Sequence, residues 1–220
     1  MHVAGPDTRP GRDAVSGDGR SVLRAPGDAL TGSTPRCFLA VPVEEPALAA
    51  AASLLAALRT EFPGVRWVRP SGLHLTVHFF GPLPDALWDA VTETVAPCAA
   101  ATAPFTVRLD TLGAFPAGGA PRVLWLGASA GHEAAISLAL ACRGALSAAG
   151  VEVESRPPAL HCTLGRPRDA WDAGRRRSWA GRTASLPAWT ARRLVLYESL
   201  PGPGGSTYVP RREAALAGAG

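Results

Sequence analysis

His74-Leu75-Thr76-Val77 and His161-Cys162-Thr163-Leu164 are two short runs built on one pattern. Side chains alternate along a strand with period two, so His74 and Thr76 share one face while Leu75 and Val77 share the other. His161 and Thr163 repeat this over Cys162 and Leu164. Two polar faces set in apolar sequence are unfavourable if buried without partners, and turning both toward one water-filled cleft removes the penalty. The sequence upstream repeats as well. An apolar strand at Phe38 and a helix precede His74 by 36 positions, and a strand at Val123 and a helix precede His161 by 38. Two strand–helix–strand units of near-equal length predict a pseudo-twofold arrangement with the chemistry between them.

Around these units the punctuation of the chain marks further elements. Cys37 to Val41 reads as a strand ended by Pro42, and Ala47 to Leu58 as a helix. Glu44 and Glu45 are placed to favour the positive end of that helix. Val65 to Val68 and Leu73 to Phe80 are extended, and Pro84 to Ala99 is helical. Phe105 to Leu112 and Val123 to Leu126 are strands joined by a Pro/Gly-rich loop, and His132 to Ala149 is a helix stopped by Gly150. Leu160 to Leu164, Arg192 to Tyr197 and Thr207 to Val209 complete the set of strands. Residues 1–35 mix Gly, Pro, Asp, Arg and Ser without apolar periodicity and read as a flexible extension. Residues 36–220 read as one domain.

With 220 residues, 47% of them hydrophobic and 18% charged, the chain has material for a core. Charge interrupts its apolar stretches before the roughly 20 residues a membrane span requires, and no signal-peptide segment opens it. The reading is a cytoplasmic monomer with no membrane association. The net charge of +4 permits an anionic partner. From Arg156 to Arg212 there are 11 Arg against Asp169, Asp172 and Glu198, which makes this part the candidate cationic surface, although a solvated face has the same composition. Arg175-Arg176-Arg177 fits such a face. Cys37, Cys98, Cys142 and Cys162 show no CxxC spacing and read as reduced, buried thiols.

Two imidazoles facing each other, with unperturbed pKa near ~6.5, supply an acid and a base at neutral pH, and threonine hydroxyls can donate to phosphoryl oxygens. On unbroken alternation His78 lies on the face of His74. Four strand positions span roughly 13 Å, too far for one ion to bridge. No His/Cys spacing matches a zinc site, so neither metal nor cofactor is expected.

The chain resembles the two-histidine, LigT-like phosphoesterases, specifically RNA 2′,3′-cyclic phosphodiesterases. The resemblance is carried by Phe38-Leu39-Ala40-Val41-Pro42, Arg66-Trp67-Val68, the two His-x-Thr runs, Leu112-Gly113-Ala114-Phe115, Arg122-Val123-Leu124-Trp125-Leu126-Gly127 and Leu196-Tyr197-Glu198-Ser199. It runs from about residue 36 to about 213. It implies a bilobal α+β fold, with antiparallel-rich sheets around a central cleft and helices outside, and metal-independent hydrolysis of RNA 3′ ends or nucleoside 2′,3′-cyclic phosphates. By resemblance His74 is the proton donor and His161 the proton acceptor, and the product is a 2′-phosphomonoester. Thr76 and Thr163 then hold the non-bridging oxygens. Arg166 matches the family's basic residue, with Gly165 breaking the alternation that would otherwise turn it away. Leu160 stands where a Pro is usual and Cys162 where a Leu is commoner, and neither removes a reacting group. Trp67, Trp125 and Tyr197 can stack a base or pack in the core. A weak reverse ligation, a non-catalytic module binding RNA ends, and a phosphoesterase for another small cyclic phosphate are the other readings.

Overall fold

The computed structural model describes residues 34–153 and 160–218. The extension expected over residues 1–35 lies outside the described residues but for its last two. The described chain runs β1 (Arg36–Pro42), α1 (Ala47–Glu61), β2 (Val65–Trp67), β3 (His74–Pro82), α2 (Asp85–Ala100), β4 (Phe105–Phe115), β5 (Val123–Ala130), α3 (His132–Ala148), β6 (His161–Pro167), α4 (Ala173–Ala180), β7 (Trp189–Ala191), β8 (Arg193–Leu200) and β9 (Thr207–Ala215). No helix among the described residues is long and apolar enough to cross a membrane.

The strands pair in the order β7-β4-β5-β6-β3-β1-β8-β9, with β2 also on β6, and the pairings are antiparallel. The histidine-bearing strands β3 and β6 are the central pair. Counting outward, β1 and β5 come next, then β8 and β4, then β9 and β7. This is the α+β, pseudo-twofold architecture expected from the repeat, formed as one curled antiparallel sheet.

The helices bury stripes at helical spacing. In α1 these are Ala47, Ala51, Leu55 and Leu58, and in α3 Ala135, Leu138, Ala139, Cys142 and Leu146. Helix α3 packs on β3 and α2, and α2 also on β9. Of the two acids expected at the start of α1, Glu45 accepts the Ala49 N–H at 3.3 Å, whereas Glu44 accepts from Arg193 Nε at 2.7 Å. All four cysteines are buried, and none is in a disulfide among the described residues.

Several elements differ from the sequence reading: β5, β6 and β8 run on to Ala130, Pro167 and Leu200, and α4 has no counterpart in it. Strand β4 continues past Leu112 to Phe115, because Gly113 lies opposite Trp125 and a Cβ there would collide with the indole. Strand β9 runs to Ala215 through a polar stretch, held on β8 in part by Arg211 with Glu198. The three-residue β7 carries too short a pattern to read. The Arg175–Arg177 run sits on α4, capped by the Asp172 carboxylate, which accepts from Arg175 N–H at 2.8 Å, and it is not part of the cleft.

Candidate active site

One registered pair, Leu75 with Cys162, joins β3 to β6. Counting antiparallel from it sets His74 across from Thr163 and Thr76 across from His161, so each histidine faces the other strand's threonine. The diagonal between the two histidines is of the order of 7–8 Å on such a ladder, room for a phosphate. Leu75 and Cys162, both buried, point to the opposite face. Burial also pushes the Cys162 thiol up to about 12, which leaves it a packing group.

From the histidine onward β3 and β6 have the same sequence of exposures: half-buried, buried, half-buried, buried, buried, exposed, half-buried. The doubled buried position marks an irregularity in each strand. In β3, Thr76 pairs with Ala40 but His78 with Leu39, so one residue is inserted and Val77 and His78 are buried in succession. His78 therefore does not share the face of His74, as unbroken alternation had implied, and its ring meets Phe80 at 4.7 Å. In β6 the register slips between Trp125↔Thr163 and Leu124↔Gly165. That slip turns Arg166 into the cleft, and glycine is needed beside it: a Cβ on Gly165 would come within 2.8 Å of Trp67 and Val65.

His74 is enclosed. Phe38 stacks on its ring at 4.7 Å and Tyr208 meets it edge-on at 5.2 Å. Its Nδ1–H donates to the Gly72 carbonyl at 2.8 Å, which leaves Nε2 as the nitrogen available to a ligand. Burial lowers its pKa to about 4, against an opposing contribution from the Gly72 hydrogen bond and with a further lowering by His161. His161 sits against different rings, Phe115 edge-on at 5.1 Å and Trp125 at 6.3 Å.

His74, Thr76, His161, Thr163 and Arg166 line one cavity of about 690 Å³. Sequence reasoning missed other residues of this cleft. Phe38 and Tyr208 line it beside His74, Phe115 meets His161 from outside the lining, and Trp67, expected either to stack or to pack, is a buried part of the wall packed on Trp179. Tyr197 stacks on Phe38 one layer back, at 5.4 Å. Arg36, Arg66, Arg69 and Arg143 also line the cavity, so four of its five arginines come from the part of the chain before Arg156. Within the C-terminal part, Arg182, Arg193 and Arg211 are engaged with Glu61, Glu44 and Glu198. No carboxylate lines the cavity, and no group of three or more His, Cys, Asp or Glu residues that could hold a metal ion occurs among the described residues.

A model of the 2′-5′ RNA ligase superfamily matches residues 33–202. The chain belongs to that superfamily. Members similar to it include an RNA 2′,3′-cyclic phosphodiesterase of Geobacillus stearothermophilus, 32% identical over 130 residues that make up 59% of this chain and 41% of the relative. Another of the same name, from Aquifex aeolicus, is 34% identical over 74 residues, 34% of this chain and 39% of the relative. The aligned part thus spans about two-fifths of the length of these curated relatives. Solved structures align over more. TT0787 of Thermus thermophilus superposes with a TM-score of 0.70 at 27% identity, covering 83% of this chain and 98% of that one. LigT of E. coli complexed with 3′-AMP gives 0.62 at 26% identity, covering 83% and 98%.

Proposed function

We propose that this protein hydrolyses RNA 2′,3′-cyclic phosphate ends to 2′-phosphomonoesters by acid–base catalysis between His74 and His161, without a metal ion. One observation carries the reading: the β3–β6 seam sets two histidine–threonine pairs crosswise in a single cleft that is rich in arginine and, among the described residues, lined by no carboxylate. The names of the superfamily's curated members support it.

In this reading a water oxygen attacks phosphorus in line with the bond to O3′, and that bond breaks. His161 takes the proton of the water, His74 gives its own to O3′, and the phosphate stays on O2′. Thr76, Thr163 and Arg166 stabilise the non-bridging oxygens where charge redistributes. Above pH 4 the cleft by itself holds His74 neutral. The donor role therefore needs His74 to take up a proton from solvent as the substrate binds, because the anionic phosphodiester favours the imidazolium.

The deciding experiment gives the full chain an RNA ending in a 2′,3′-cyclic phosphate, in EDTA, and resolves the products. A 2′-phosphate is expected. A 3′-phosphate, or turnover only after a metal is added, overturns the mechanism. Tight binding of the RNA end without any turnover makes the protein a binding module.

A further inference from the structure

We infer that Arg66 and Arg69 form a second phosphate subsite, one that takes a backbone phosphodiester of the same RNA strand, so that the substrate is an RNA chain in preference to a free nucleoside cyclic phosphate. The inference rests on the proposed function for where the reacting phosphate lies. Arg66 on β2 is directly opposite Arg166 on β6. Like charges in that position destabilise an antiparallel pair unless an anion lies between or beside them. Trp67, the next residue, packs into the notch at Gly165, so alternation sends Arg66 to the cleft side. Arg69 follows on the turn before β3 and reaches over the loop between β8 and β9. Its Nη2 lies 3.5 Å from where Gly204 would carry a Cβ, and Arg66 Cδ lies 3.8 Å from the same point on Gly205. Both arginines line the cavity together with Ser206 and Tyr208.

Among the described residues no carboxylate pairs with Arg66, Arg69 or Arg166, in contrast to Arg182, Arg193 and Arg211. A cyclic phosphodiester has one negative charge, and Arg166 with the threonines already serves it. Two more guanidinium groups at the same mouth match a second phosphate, whose oxygens accept their paired N–H groups. An RNA strand supplies that phosphate and a nucleoside 2′,3′-cyclic phosphate does not.

The test measures kcat/KM at low salt for a nucleoside 2′,3′-cyclic phosphate and for a trinucleotide with the same end, in wild type, Arg66→Ala/Arg69→Ala and Arg66→Lys/Arg69→Lys. The wild type should prefer the trinucleotide by roughly tenfold or more, the scale of a charge-assisted contact. The alanine pair should abolish the preference, lowering kcat/KM for the trinucleotide roughly tenfold more than for the nucleoside, and the lysine pair should restore part of it. Equal losses on both substrates, or no preference in wild type, overturn the subsite. Failure of both substrates to react overturns the proposed function instead. The subsite is then decided by binding of a trinucleotide 2′-phosphate and a nucleoside 2′-phosphate to the same variants: selective loss of the trinucleotide supports it and parallel loss refutes it.

Discussion

Strands β3 and β6 have the same register of buried and exposed positions, the same inserted residue and the same two polar groups, yet their histidines meet different surroundings. His74 lies between Phe38 and Tyr208 with Nδ1 held by a carbonyl, while His161 meets Phe115 and Trp125. The strand geometry delivers two imidazoles to one point. What surrounds them therefore differs where the strand pattern does not, and for His74 burial among these groups lowers the pKa.

The first way to break this comparison is to remove either ring. His74→Ala and His161→Ala should each lower kcat by about 10²- to 10⁴-fold with ligand binding kept. Near-normal turnover from one of them would mean that the strands are alike in shape only. Thr76→Val and Thr163→Val should follow at about a hundredfold in kcat, the scale of one lost oxyanion donor. A large difference between the two would show that one threonine alone holds the phosphoryl oxygens.

Proton affinity sharpens the contrast. NMR titration of the protein without substrate should place the His74 ring near pH 4, and Tyr208→Ala, by admitting water, should move it back toward about 6.5. Because the folded value lies below the unfolded one, the unfolded chain binds more protons between these two pH values. Stability is therefore complete above about 6.5 and declines as pH falls toward 4, by up to about 3 kcal/mol. Chemical denaturation across that window should show the decline in wild type and a shallower one in His74→Phe. Equal slopes would mean that the ring is not desolvated. The smallest effect is expected from Gly72→Ala, whose methyl would meet the Tyr208 ring at 3.2 Å. A loss in kcat/KM of less than tenfold should accompany a displaced His74 titration, whereas an unmoved titration would separate the tyrosine from the histidine's environment.

Much of this was legible in the chain. The repeat of His74-Leu75-Thr76 in His161-Cys162-Thr163 located the central strands, and period-two alternation set their polar faces, because side-chain direction in a strand is local. Gly165 signalled the break that turns Arg166. The corresponding break in β3 carries no glycine, so His78 was read onto the wrong face: a bulge there depends on pairing with β1. Phe38 and Tyr208 were unreadable as partners of His74, since 36 and 134 positions separate them from it and only tertiary packing brings them together. The cleft arginines were obscured for the same reason, because which guanidinium groups find a carboxylate depends on contacts between distant residues.

The joint between β3 and β6 is stitched by a single backbone pair, with β2 fastening its other end. A molecule held by side chains of both strands adds contacts across that joint to the ones the main chain supplies. Occupancy is then expected to slow hydrogen exchange at Leu75 and Cys162 and to make the two halves melt as one, so that the loaded protein is mechanically a different object from the unloaded one.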